Sequence, residues 1–358
     1  MLKVATVFSG IGAAEQALKQ LGVKHKIVFA CDNGERYLDI DEKEIKKELE
    51  NVEKNEKENY IKNLYDETGK KNNVKVSYFA NYNIGEDQWF EDVRFIDGKQ
   101  YYNKVDLFIG GSPCQSFSTY GKRLGLEDTR GTLFYDYARL IGEIQPKVFI
   151  FENVTGLLNH NKGETWKTIK RVFSDLNYHI SDSILNAQDY GLPQMRKRVF
   201  VVGIKDDLSS SKLVFSKGKK LDIFAEDLLD KEVPNKYYLP FKGFRYVTEH
   251  KRNEGRARVN RDVIGCQTAN QQFNWTGDFR VESPKKEHYE DKRIYIGEYF
   301  GEAAVARKLT PQECLRLMGF KDFEIKVPDQ VLYRQVGNSI AVPVLKSILK
   351  DILNQFKL

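Results

Sequence analysis

A chain of 358 residues, 41% of them hydrophobic, can bury a sizeable core, most simply as one large domain with a smaller companion. No run approaches the roughly 18 consecutive apolar residues of a membrane span, and no secretory signal pattern opens the chain. Four cysteines without Cys-x-x-Cys spacing suggest neither a disulfide framework nor a zinc site, so the composition reads as reduced and cytoplasmic, with no metal expected. The formal charge of +6 permits a polyanionic partner without establishing one.

In chain order, Val4 to Phe8 predicts a strand, followed by a glycine turn and a helix from Ala13 to Leu21. Ile27 to Ala30 predicts a second strand. The segment 39–75 mixes Glu and Lys densely with few apolar positions, and reads as an exposed insertion, helical at most on its surface. Val105 to Ile109 has the short apolar character of a strand buried in a parallel sheet. A helix from Thr132 to Ile144, a strand from Lys147 to Phe151 and a helix from Glu164 to Leu176 follow, then strands near 180–185 and 198–203. This alternation predicts an α/β domain, residues 1–205, built on an open, mostly parallel sheet. Residues 206–306 are polar with irregular aromatics and read as a second, smaller, loop-rich domain. From 307 the chain is expected to return to the first domain, with Thr310 as N-cap, Pro311 at the first helical position and a last helix from about Val342 to Phe356.

Open parallel sheets bind ligands beyond the carboxyl ends of their strands, and the chemically suggestive residues follow strands. Phe8-Ser-Gly-Ile-Gly12 lets a ligand approach the backbone at a helix N-terminus. Glu15 replaces the third small residue of a dinucleotide fingerprint, which argues against a pyrophosphate and for a cofactor with a cationic end. Asp32, after the second strand, suits ribose hydroxyls. Cys114 follows a strand in the loop Gly110-Gly-Ser-Pro-Cys-Gln-Ser116. A lone cysteine is more often a small core hydrophobe, but this polar setting points to a nucleophile. Glu152 ends the next strand. A carboxylate beside a thiol would raise its pKa, so Glu152 makes sense acting on a substrate: hydrogen-bonding or protonating nitrogen 3 of cytosine makes carbon 6 electrophilic. Arg196 and Arg198 alternate into a strand, which would place both guanidinium groups on one face. The cation-rich run from Lys242 to Arg261 reads, by itself, as a solvated face.

Taken in order, Phe8-Ser-Gly-Ile-Gly12, Pro113-Cys-Gln115, Glu152-Asn-Val154, Gln194-x-Arg196-x-Arg198 and Gln335-Val-Gly-Asn-Ser339 resemble the DNA (cytosine-5)-methyltransferase family of the prokaryotic restriction–modification type. The resemblance covers the chain apart from 39–75 and 206–306. It implies a Rossmann-like methyltransferase fold and S-adenosyl-L-methionine as donor, leaving S-adenosyl-L-homocysteine. The donor would be held by Phe8, Gly10, Ile11, Gly12, Asp32, Asn33, Asp92, Val93, Pro113, Asn338 and Ser339, with Asp32 at the ribose and Asp92 at the adenine amino group. It implies Cys114 as nucleophile, Glu152 at nitrogen 3, and Arg196 and Arg198 as anchors for base and phosphate. It also implies a mobile loop from Gln115 to Gly131 and base flipping out of double-stranded DNA. Gln115, Ser116, Arg130 and Gln194, with Arg258, Arg261 and Thr268 of a target-recognition domain at 206–306, are the expected DNA contacts. The setting implied is a monomer in a prokaryotic or phage-infected cytoplasm, with a cognate restriction endonuclease as possible counterpart. An RNA (tRNA) cytosine-5 methyltransferase is the alternative on the same motifs.

Overall fold

Short apolar runs supply the strands of one sheet. The computed structural model describes residues 1–112, 133–249, 256–272, 275–356 and 358. Leu2–Val7 (β1), His25–Cys31 (β2), Trp89–Phe90 (β3), Leu107–Gly110 (β4), Val148–Val154 (β5), Tyr178–Asn186 (β6) and Lys197–Lys205 (β7) assemble in the order β3-β2-β1-β4-β5-β7-β6. β1 runs parallel to β2 and β4, β2 to β3, and β4 to β5. β7 enters antiparallel to β5, with Val154 opposite Arg198 and Glu152 opposite Phe200. The expected α/β, mostly parallel sheet is what forms. Its central strands read as unbroken apolar runs because both faces are covered.

The helix Ala13–Gln20 (α1) follows β1 directly. Leu133–Ile144 (α5) and Glu164–Ser174 (α6) bracket β5 in sequence and bury an aromatic layer against it. Phe134, Tyr137, Phe149, Phe151 and Phe173 pack edge-on or tilted, and the Tyr137 hydroxyl donates to the Ile150 carbonyl at 2.9 Å. Such packing fixes the end of β5, where Glu152 sits.

The region expected to be an exposed insertion departs from that reading. It forms Glu42–Glu50 (α2), Lys57–Glu67 (α3) and Asn73–Asn81 (α4). Ile45, Leu49, Ile61 and Tyr65 make a buried cluster of their own, with Leu38 and Phe95 against it. The apolar positions are few, but they fall in i,i+4 pairs on α2 and α3, which is enough for two short helices to cover each other.

Backbone packing divides the chain into two compact units: Met1–Leu185, Lys197–Lys217 and Leu345–Leu358 form one, Asn186–Arg196 and Gly218–Val344 the other. This division follows contacts and differs from the functional division expected at 206 and 307. In the second unit the strands Ala257–Val259 (β8), Gly277–Glu282 (β9), Gly297–Tyr299 (β10) and Glu302–Lys308 (β11) form a sheet in the order β10-β11-β9-β8. The region read as loop-rich thus holds strands, two of them only three residues long and too short to show an alternation. Around this sheet are Phe241–Thr248 (α7), Lys286–Glu290 (α8), Pro311–Arg316 (α9) and Asp329–Asn338 (α10). Thr310 caps α9 as expected: its hydroxyl accepts from the Glu313 N–H while Glu313 accepts from the Thr310 N–H. Val342–Gln355 (α11) follows. Among the described residues, no helix is long and apolar enough to cross a membrane.

Candidate active site

Parallel strands deliver their carboxyl ends to one edge, and antiparallel β7 brings its beginning to that same edge. The strand order therefore sets out, across the first unit, Asp92 after β3, Asp32 after β2, the Phe8–Gly12 turn after β1, Gly111-Ser112 after β4, Glu152 on β5 and Arg198 on β7. The chain order reverses between β1 and β4, which is where an open α/β sheet forms its ligand crevice.

The glycine turn is shaped by its neighbours. Phe8, Gly10 and Gly12 all take left-handed backbone, with φ of 53°, 53° and 75°. Ser9 staples the turn to β2, its N–H donating to the Cys31 carbonyl and its hydroxyl bonded to the Cys31 main chain, both at 3.1 Å. The Gly10 N–H donates to Asp32 Oδ2 at 2.9 Å and the Gly34 N–H to Asp32 Oδ1 at 2.8 Å. Burial raises the Asp32 pKa from its ordinary value, and these two N–H groups pull it back. Gly12 must be glycine for a second reason: a Cβ there would lie 2.1 Å from the Tyr82 ring, whose hydroxyl donates to the Gly12 carbonyl at 2.7 Å. A Cβ at Gly10, by contrast, meets nothing within 4 Å. The turn thus presents an open backbone face at the start of α1 beside a fixed carboxylate, a donor set that fits an adenosine-containing cofactor.

Other expected cofactor residues sort differently. The Asn33 side chain serves its own turn, bonding Arg36 O and Glu35 N. Val93 is buried in the core, leaving only its main chain for a ligand. Asp92 is buried and engaged by Arg94 and by the Tyr65 hydroxyl at 2.7 Å. Asn338 and Ser339 belong to the second unit, at the end of α10, where Asn338 is exposed and Ser339 buried.

Glu15 does not face a ligand. It is 1% exposed, and its carboxyl accepts from Tyr78 at 2.6 Å and Thr6 at 3.2 Å. Burial raises its pKa above the ordinary 4.5, against the effect of those bonds. Below that value the group is neutral in folded and unfolded chains alike. As pH rises past it, the unfolded chain ionises first, so stability falls until the raised folded pKa is passed. Glu15→Gln is therefore expected to match the wild type in acid and to gain Tm relative to it towards pH 8, as read by thermal melts across pH.

On the catalytic side, Arg198 Nε lies 3.1 Å from Glu152 Oε1, both side chains largely buried. A Cβ on Gly111 would come within 3.0 Å of Glu152 Oε2, so the carboxylate lies against the strand end that leads to Cys114. Asn153 donates to the Ser112 carbonyl at 2.9 Å and fixes the same strand end. No role for Asn153 was legible in the sequence, because its partner is 41 residues away. Pro113, Cys114, Gln115, Ser116 and Arg130 lie outside the described residues. Of the other cysteines, Cys31 and Cys314 are buried, and burial pushes both thiols well above their ordinary pKa, which suits neither to nucleophilic attack.

The expectation that Arg196 and Arg198 share one strand face is overturned. β7 starts at Lys197, and Arg196 belongs to the second unit. There its buried guanidinium donates to the carbonyls of Gln267 at 2.7 Å and Gly337 at 3.0 Å, and to that of Ser339. Gln194 is likewise no surface contact: it is fully buried, donating to Leu317 O at 2.7 Å and accepting from Gln267 N at 3.1 Å. Arg258 forms a two-pronged ion pair with Asp278, at 3.1 and 2.7 Å, while Asp278 also accepts from the Gly265 N–H. These three side chains converge on residues 265–267 and hold the segment that precedes Thr268. Thr268 and Arg261 are exposed.

Gly337, in the Gln335-Val-Gly-Asn-Ser339 motif, closes this arrangement. A Cβ there would stand 2.1 Å from the Thr268 carbonyl carbon and 2.4 Å from the Ala269 nitrogen. Both are main chain and cannot swing aside. Gly337→Ala is expected to cost about 1–3 kcal/mol of stability, measured by urea denaturation.

A family model described as C-5 cytosine-specific DNA methylase matches residues 2–354. The chain belongs to that family. Among relatives of this DNA methylase, Type II methyltransferase M.HpaII of Haemophilus parainfluenzae is 36% identical, over 79% of this chain and 80% of that protein. Orphan methyltransferase M.SPRI of Bacillus phage SPR is 29% identical over 99% of this chain and 98% of its own. A crystal structure of the S. pombe Dnmt2 methyltransferase shares the fold, with a TM-score of 0.68 at 18% identity, over 99% of this chain and 98% of that one. The methylase family's description names DNA, and the RNA alternative gains no support beyond it.

Proposed function

We propose that this DNA methylase uses S-adenosyl-L-methionine to methylate carbon 5 of a cytosine flipped out of a specific double-stranded sequence, through a covalent bond between Cys114 and carbon 6. The observation that carries the reading is the Glu152–Arg198 pair at 3.1 Å, on the sheet edge that also bears the Phe8–Gly12 turn and Asp32. The donor supplies an electrophilic methyl group when bound. Phe8, Gly10, Ile11 and Gly12 would line it with main chain, Asp32 would take the ribose, and Asp92 and Val93 the adenine side. Asn33, Pro113, Asn338 and Ser339 complete the proposed set.

Glu152 hydrogen-bonds or protonates nitrogen 3, which draws electron density from carbon 6 and lets the Cys114 sulfur add there. The electron pair released to carbon 5 takes the methyl group. Loss of the carbon 5 proton to a base then expels the thiolate and restores the ring. Arg198 holds Glu152 and anchors the base, and Arg196 fixes residues 267, 337 and 339. Flipping costs a few kcal/mol, which contacts to the phosphates offset.

Residues 206–306 are proposed to read the target, with Arg261 and Thr268 as contacts and Gln194 and Arg258 as supports of the reading loop. Gln115, Ser116 and Arg130 are proposed contacts from the catalytic loop. The Type II name of one relative supports a role in protecting host DNA against a restriction endonuclease; a monomer in a prokaryotic or phage-infected cytoplasm completes the proposal. Bisulfite sequencing of DNA from cells expressing the protein is expected to show unconverted cytosine at one fixed position of one short sequence. Complete conversion everywhere, or methyl transfer to tRNA in preference to duplex DNA, would overturn the reading.

A further inference from the structure

The helices α2 to α4 interrupt the chain between Asp32 and Asp92, the two carboxylates read above as holding the adenosine half of the cofactor. Asn72, at the start of α4, is buried, and its Nδ2 donates both to the Asp32 carbonyl and to Glu91 Oε2, each at 2.8 Å. Its Oδ1 accepts from the Lys75 N–H at 3.0 Å and so caps α4. A Cβ on Gly34 would fall 2.3 Å from that Oδ1, so Asn72 is pressed against the turn whose Gly34 N–H holds Asp32. Tyr65 of α3 reaches the other carboxylate, donating to Asp92 Oδ2 at 2.7 Å. Between them the buried Arg36 guanidinium pairs with Glu91, donates to Asn33 O at 3.0 Å and lies over the Tyr65 ring at 4.8 Å. Ile61, Lys62 and Lys75 of α3 and α4 also line, with Asp92, a cavity of about 320 Å³.

We infer that these helices are a brace for the cofactor site: Asn72 positions Asp32 and Tyr65 positions Asp92. The inference rests on the cofactor reading given above. A carboxylate that must meet a ribose is useful only if its main chain is held, and here two bonds from one amide join β2, the strand end at Glu91 and α4. Asn72 and Tyr65 are positioning residues and need not touch the ligand.

The test uses the full chain and calorimetric titration with S-adenosylhomocysteine, which cannot turn over. Asn72→Ser keeps an oxygen able to cap α4 but loses both Nδ2 bonds; Tyr65→Phe removes one hydroxyl from a buried ring. Asn72→Ser is expected to bind about tenfold more weakly and Tyr65→Phe a few-fold more weakly, corresponding to one or two lost hydrogen bonds. The KM for the donor should rise in step while kcat at saturation holds. Ile169→Ala, in the core of the same unit and distant in sequence from the brace, should lower Tm yet bind as the wild type does. Wild-type affinity in Asn72→Ser, or equal weakening in Ile169→Ala, would overturn the brace alone. A wild-type protein that binds no S-adenosylhomocysteine would overturn the cofactor reading and the brace with it.

Discussion

Cys114→Ala is expected to lower methyl transfer by roughly 10⁴-fold or more while S-adenosylmethionine binding stays at wild-type strength. The asymmetry follows from where the chemistry divides. Apart from Pro113, the expected cofactor contacts of the first unit sit after β1, β2 and β3, whereas Cys114 follows β4. An ordinary thiol is only a few per cent thiolate at neutral pH, so the enzyme depends on an electrophilic carbon 6 as much as on a reactive sulfur. The alanine variant retains the activated base and has nothing to add to it. Single-turnover transfer of labelled methyl to duplex DNA, alongside a binding titration, separates the two effects. Duplex DNA carrying 5-fluorocytosine at the target extends the test. Fluorine cannot leave as the proton does, so a denaturation-resistant adduct should accumulate and map to Cys114. An adduct on Cys266, the one described cysteine that is not buried, would sink the assignment.

The second large effect is expected at Glu152. Glu152→Gln keeps the shape of the side chain and an oxygen for Arg198, but its amide N–H can only hydrogen-bond nitrogen 3, cannot transfer a proton to it, and brings no charge to balance the guanidinium. A loss of about 10²–10⁴-fold in kcat is expected, the usual weight of a positioned acid–base group, with DNA affinity changed little. The adduct with 5-fluorocytosine should form correspondingly slowly, because addition at carbon 6 is the step Glu152 assists. A variant with normal adduct kinetics and slow turnover would move Glu152 to a later step.

Legibility from sequence depended on how far a residue's partner lies. The strands were plain because a sheet covered on both faces leaves uninterrupted apolar runs, and a parallel sheet then gathers the motif residues at one edge. Glu152 was identified by chemistry and Arg198 by alternation, and they meet at 3.1 Å. Alternation misled for Arg196, because it assumes a strand already under way, and the strand begins one residue later. Gln194 and Arg258 were expected at DNA from the resemblance, yet buried donors seek the nearest acceptors, which here are Leu317 O and Asp278. The partners of Ser9, Tyr82 and Asn153 carried no signal: each acts on backbone more than twenty residues away. The charged segment 39–75 concealed two i,i+4 apolar pairs, which a count of apolar residues passes over and a helical spacing would have found.

The division into two compact units has a consequence for how the chain is born. The path passes from one unit to the other after Leu185, returns at Lys197, leaves again after Lys217 and comes back only at Leu345. The ribosome therefore releases all seven strands of the large sheet while most of the second unit is still unmade, and the residues that complete the first unit are translated after the second. Until then the first unit lacks Leu345, Ile348, Leu349 and Ile352, all buried in the finished fold, and the apolar surface they meet stays open to water during elongation. Translation rate across residues 218–344 and chaperone supply should thus govern the yield of active protein. Exchange of that segment between relatives would carry an added cost in folding time even where its chemistry is compatible.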